Sequence, residues 1–209
     1  MPMARKNVYF DEREDVLAST DLLAIAAPKL RKQPSYWKWM IIAAHNGLQG
    51  ALVCAIQDTS ATNVLSKESA TKMLKYLETL EGDRPQEYLA DFVTLLKRYR
   101  KKYPCHGLTT EQLKHIHKLH KQFRNNFAHF VPKGWWIEIA RLPAIIESTL
   151  DLIEAAMQQH QVVIHLNGNM KRRLEQNLAA TRASSSLAPA SGCLDTEIGR
   201  DANNSSTSR

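Results

Sequence analysis

The sequence predicts an all-α fold, an antiparallel helical bundle followed by a disordered C-terminal tail. Three observations predict it. Apolar residues recur at steps of three and four through several helix-length stretches. Short connections containing Pro, Gly, Asp and Ser separate those stretches. The one aromatic and β-branched segment, residues 131–139, is too short and isolated to found a sheet. A chain of 209 residues with 44% hydrophobic and 23% charged side chains can bury one substantial core.

Residues 11–30 read as the first helix. Asp11, Glu12, Glu14 and Asp15 lie at the positive end of its dipole, Lys29, Arg31 and Lys32 at the other, and Leu17, Leu22, Leu23 and Ile25 supply apolar contacts. Pro34 separates it from residues 37–57, the most apolar stretch. That stretch is long enough to span a bilayer, but Lys38, His45, Asn46 and Gln49 would be costly in lipid, so a buried core helix is predicted. Its small residues Ala43, Ala44, Gly47, Gly50 and Ala51 let another backbone approach closely, and two glycines inside a helix call for a packing reason.

Residues 58–63 read as a loop, and Ser66 opens a short helix through Leu80. After the turn Gly82-Asp83-Arg84-Pro85, a helix is predicted from Pro85 or Gln86 to Lys102, with Tyr88, Leu89, Phe92, Leu95, Leu96 and Tyr99 as its apolar face. Residues 104–107 connect it to the helix of residues 109–130. Thr109 or Thr110 can cap that helix, and Leu113, Ile116, Leu119, His120, Phe123, Phe127 and Phe130 form one stripe facing a core. Pro132 and Gly134 end it. Pro143 suits the first turn of a last core helix carrying Ile145, Ile146, Leu150, Leu152 and Ile153. The domain reading is a bundle over 1–168, a basic amphipathic helix over 169–182, and a tail over 183–209. The tail has too few large apolar residues to offset its ordering entropy.

Cys54, Cys105 and Cys193 are odd in number and lack paired spacing, which argues against a disulfide framework and for a reducing cytoplasm. The opening MPMARKNVYFDERED has no apolar run of the kind a signal peptide needs. No Gly-rich phosphate loop, nucleophile elbow or HExxH pattern is present, so those enzyme classes find no support. Of His115, His117 and His120, only the last two point within about 60° of each other on an ideal helix. Without a carboxylate or cysteine pair they make a poor zinc site, and neither metal nor cofactor is expected.

The net charge of +7 is concentrated. Residues 97–133 hold ten Lys and Arg against the single acid Glu111, a balance of +9, while the flanking segments each sum to −1. A local positive field of this kind fits a polyanion, nucleic acid before an anionic membrane. Within it lies Arg124-Asn125-Asn126-Phe127-Ala128-His129. Spacing alone is weak evidence, since Arg100 and His106 are spaced almost alike. That pair lacks a polar neighbour to the arginine, and Pro104 interrupts it. Arg124 and His129 instead end an amphipathic helix inside the basic region.

This hexapeptide, its continuation Phe130-Val131-Pro132-Lys133-Gly134-Trp135 and the upstream Trp37-Lys38-Trp39 resemble the active motif and setting of the HEPN superfamily, including uncharacterised bacterial members. The resemblance covers residues 10–160. It implies a metal-independent endoribonuclease, often dimeric, found in toxin-antitoxin, phage-defence and RNA-processing settings, although some relatives only bind RNA or nucleotides. The expected partners are RNA, a second copy of the chain and possible antitoxin or regulatory proteins, with no membrane.

Elementary chemistry fits that expectation. His129 can take the proton of a ribose 2′-hydroxyl, Arg124 can neutralise charge on the phosphate, and Asn125 can orient either group, leaving a 2′,3′-cyclic phosphate. Lys114, Lys118, Lys121 and Lys133 are the expected RNA-binding residues. His45, Asn46 and Gln49 read either as a core network fixing helix register or as groups that orient Arg124 or His129. Five residues of ideal helix separate Arg124 and His129 by about 140°, so the helix must unwind or two chains must meet.

Overall fold

The computed structural model describes residues 8–104, 108–128, 132 and 134–184. The described chain is helical: α1 Glu12–Ala26, α2 Trp37–Ile56, α3 Lys67–Thr79, α4 Phe92–Lys102, α5 Thr110–Lys118, α6 Asn125–Ala128, α7 Leu142–Met157, α8 His160–Val163 and α9 Gly168–Arg182. No β-strand occurs among the described residues, and the only pairing of that kind is an isolated antiparallel bridge between Leu65 and Leu89. Residues 185–209, where the disordered tail is expected, lie outside the described residues.

Helix α2 is the hub, packed against α1, α4 and α7. Although Pro34–Ile56 is long and apolar enough to cross a membrane, 15 of the 20 residues of α2 are buried within the bundle. Each fully buried Leu or Ile, such as Ile41, Leu48 and Leu52, contributes roughly 1.5–3 kcal/mol of transfer free energy. The two glycines have the packing reason their sequence position implies. A Cβ on Gly50 would sit 2.8 Å from Val16 Cγ2, and one on Gly47 3.2 Å from Ser19 Cβ, so both mark where α1 crosses closest.

Three boundaries differ from expectation. Helix α1 starts under its Asp11 cap but ends at Ala26, where the chain tightens into a 3-10 turn, Ala27–Lys29. Pro28 has no amide with which to continue the α ladder. The helix expected from Pro85 begins only at Phe92, because Asp91 caps it, accepting from Thr94 N and Thr94 Oγ1. The preceding residues find partners elsewhere: Tyr88 O accepts from Ser66 N at 2.8 Å, Ala90 N donates to Val64 O at 2.9 Å, and Tyr88 N donates to Ser69 Oγ at 3.0 Å. Tyr88 and Leu89 are therefore exposed instead of lining the helix's apolar face, whereas Phe92, Leu95, Leu96 and Tyr99 are buried as expected.

The third difference lies in the helix that carries the basic motif. It opens with a full capping box, Thr109 with Gln112, and then widens into a π-helical segment, Leu119–Arg124, before α6. Bonding from i to i+5 inserts a wider turn, and such turns recur at functional sites. Leu119 and Phe123 remain buried through it. The far side of the bundle is closed by α9 through Leu174 and Leu178. Arg173 bonds Glu14 and Asp21, and Arg182 reaches Glu147, Asp151 and Glu154 at 2.8–2.9 Å.

Candidate functional site

Arg124 is the last residue of the π segment. It is half-buried, and its Nη1 donates to Asn125 Oδ1 at 3.2 Å, so the two adjacent motif residues form one polar unit. The amide fixes part of the guanidinium fork without neutralising it. His129, Lys133 and Phe130 lie outside the described residues, as does His106.

One helical turn before Arg124, His120 meets the core. His45, 1% exposed in the middle of α2, places Nε2 2.9 Å from His120 Nδ1. The rings stack at 5.1 Å between centroids and 18° between planes, and Phe92 from the start of α4 lies 4.6 Å from His120 and 4.7 Å from His45. Burial, followed by the positive fields of His120 and Arg124, pushes the His45 imidazole down to about 3, with Asn46 opposing weakly. His120 also titrates below its ordinary 6.5, through burial first and Arg124 second, against Asp91, which favours its charged form. Two imidazoles, both shifted toward the neutral form, thus lie one turn before Arg124.

The other expected supporting groups divide. Asn46 is exposed and Gln49 half-buried, and both line a cavity of about 200 Å³ with Glu12, Asp15, Gly50, Val53 and Leu89, on the side of α2 that meets α1. His45 is the one of the three that bonds the motif helix. His115 turns to α7, its Nδ1 2.9 Å from Ser148 Oγ, away from His117 and His120. No group of three or more His, Cys, Asp or Glu side chains able to hold a metal occurs among the described residues.

Lys114 and Lys121 are exposed, while Lys118 is half-buried with its ammonium 5.6 Å from the Phe123 ring centroid. Lys97, Arg100 and Lys101 on α4 are exposed too. Two basic residues of the region serve the fold instead. Arg98 donates to Asn63 O and Leu65 O at 2.8 Å, and Lys102 donates to Ala55 O, Ile56 O and Gln161 Oε1 at the negative end of α2. Among the described residues, none of the cations from Lys97 to Arg124 forms an ion pair. By contrast, Arg13, Lys72, Arg84, Arg141, Arg173 and Arg182 all do. On the motif's own helix, the cations Lys114, Lys118, Lys121 and Arg124 therefore have no carboxylate partner among the described residues.

A larger cavity of about 620 Å³ opens at the C-terminal end of α2, lined by Arg13, Cys54, Asp58, Lys102, Gln161 and His165 among others, and neither Arg124 nor Asn125 lines it. Burial pushes its Cys54 thiol up to about 12, which disfavours the thiolate. The pairing of His45 with His120 was not among the sequence-derived sites. Its available signal was a histidine on each of two otherwise apolar stripes. No family model, curated protein or solved structure matches the chain.

Proposed function

We propose that the protein is a metal-independent endoribonuclease of HEPN type, with Arg124, Asn125 and His129 as its catalytic residues. The observation that carries this reading is the set of cations on the helix of Arg124 itself: Lys114, Lys118 and Lys121 have no carboxylate partner among the described residues, and they precede a guanidinium held by its neighbouring amide. A face of that kind attracts a phosphodiester backbone, and Lys114, Lys118, Lys121 and Lys133 position it. Arg124 then stabilises charge on the phosphate oxygens while His129 accepts the 2′-hydroxyl proton. The 2′-oxygen attacks phosphorus, the 5′-oxygen leaves with a proton, and a 2′,3′-cyclic phosphate remains. A toxin or phage-defence role follows from the resemblance alone.

The test is to incubate the purified chain with single-stranded RNA in excess EDTA and identify the product ends. Cleavage with 2′,3′-cyclic phosphate termini is expected, and activity that disappears with the chelator contradicts the mechanism. The same unpaired face supports a second reading, RNA binding without cleavage, because phosphate attraction needs no proton acceptor. Salt-sensitive binding with intact RNA after prolonged incubation would select it.

A further inference from the structure

The hydrogen bond between His45 and His120 holds one proton, and burial decides which ring supplies it. A neutral imidazole has one donor and one acceptor nitrogen. His45 Nδ1 is buried and makes no hydrogen bond of ordinary geometry among the described residues, although the Asn46 side chain lies near enough to the ring to favour its charged form. With the proton on Nδ1, His45 would seal an unmatched N–H in the core. With the proton on Nε2, only a lone pair goes unmatched, and orphaned buried N–H groups are the rarer arrangement. His45 Nε2–H therefore donates to His120 Nδ1, and a neutral His120 carries its own hydrogen on Nε2.

His120 is half-buried, and its second nitrogen makes no hydrogen bond to another described residue. The charged and titratable groups facing His120 are Arg124, Lys121 and His117 from its own helix, Asp91 from the start of α4 and His45 from α2. A charged His120 would need hydrogens on both nitrogens, which sets Nδ1–H against His45 Nε2–H and drives the His45 proton onto its sealed nitrogen. Arg124, Lys121 and His117 also disfavour a further positive charge there, and Asp91 alone opposes them. We propose that His120 is a neutral, directional hydrogen-bond donor to a phosphodiester oxygen beside Arg124, with its proton fixed on Nε2 by His45. Arg124 supplies the charge at that phosphate, and His120 supplies a fixed direction without adding like-charge repulsion. The inference rests on the RNA reading for its ligand, but the proton arrangement stands on the geometry of the pair.

The full chain, uniformly labelled with ¹⁵N, allows the tautomer of each imidazole to be read by side-chain ¹H–¹⁵N correlation without RNA. His120 should show Nε2–H and a bare Nδ1 at pH 7, and His45 should show Nε2–H. A His120 that carries its hydrogen on Nδ1, or that is charged at pH 7, overturns the inference whatever the protein binds. The second arm measures affinity for a non-cleavable 2′-O-methyl RNA oligonucleotide. His120→Ala should weaken binding roughly tenfold, the share typical of a hydrogen bond to a charged group. His120→Gln, which keeps an amide donor near the position of Nε2, should restore part of it. His45→Phe, which keeps the stacked packing and removes the donor to Nδ1, should release the His120 tautomer and weaken binding without loss of helicity. Unchanged affinity in His120→Ala, or no rescue by glutamine, overturns the donor role. A wild-type chain that binds no oligonucleotide while keeping the expected tautomers would defeat the RNA reading, and the proposed ligand with it.

Discussion

Among single residues, His45 has the clearest thermodynamic consequence. Its ordinary pKa of 6.5 falls to about 3 in the folded chain, so below pH 6.5 the unfolded chain binds a proton that the folded chain refuses. Stability from this group is full above pH 6.5 and is lost as pH falls toward 3, at a slope approaching about 1.4 kcal/mol per pH unit. Urea melts between pH 4.5 and 7 should show that slope in the wild type and a flatter profile in His45→Phe. Parallel profiles would mean that the His45 ring is not held neutral. Sequence made Arg124 and Asn125 visible because motif residues are neighbours in the chain. It could not show the bond from His45 to His120, which joins positions 75 apart and depends on how α2 meets the π segment. For Asn46 and Gln49, helical spacing indicated a shared face but not that this face lines a cavity against α1.

At the scale of elements, local chemistry was legible wherever it was self-contained. The Ser66 and Thr109 caps open α3 and α5 as their sequence positions imply, Asp11, expected as an acid within the first helix, instead caps α1, and the apolar run of α2 forms the core helix. The stretch before Phe92 was not legible, because its partners are backbone and hydroxyl groups of Val64, Ser66 and Ser69, at or just before the start of α3 and 19 or more residues back in the chain. The π segment escaped for a related reason: its wider turn keeps Leu119 and Phe123 in the core, a tertiary demand that helical periodicity does not encode. The crossing of α1 and α2 gives a direct test. Gly50→Ala improves helix propensity by about 1 kcal/mol, yet its methyl would meet the stiff Val16 side chain at 2.8 Å, with Glu12 O at 3.4 Å. Overpacking of this kind costs about 1–3 kcal/mol, so the variant should be net destabilised in urea unfolding. A stabilised Gly50→Ala would show that the helices do not approach this closely.

Over the whole molecule, the charge is segregated by the fold as it is in the sequence. Ion pairs clasp α9 to α1 and α7, while the cations of α4, α5 and the π segment are left without carboxylate partners among the described residues. If that face makes four to six phosphate contacts with a single strand, log affinity should fall against log salt with a slope of roughly −3 to −4. Combined replacement of Lys114, Lys118 and Lys121 by Ala should make it shallower, as filter binding across a salt series would read. A flat wild-type profile would favour a partner other than RNA. The 140° separation that an ideal helix imposes between Arg124 and His129 motivates a further expectation, that the two act across a two-fold dimer. Coexpressed Arg124→Ala and His129→Ala chains should then recover up to about half of wild-type cleavage. No recovery, in a preparation shown by mass spectrometry to contain the heterodimer, places the working pair within one chain. The most direct measurement of the central claim is RNA cleavage in excess EDTA by the wild type, Arg124→Ala, His129→Ala and His106→Ala, each with helicity checked by circular dichroism. The wild type and His106→Ala should cleave, and both motif variants should be inactive while fully helical. Cleavage that persists in both Arg124→Ala and His129→Ala, or a wild type that the chelator silences, would contradict the account.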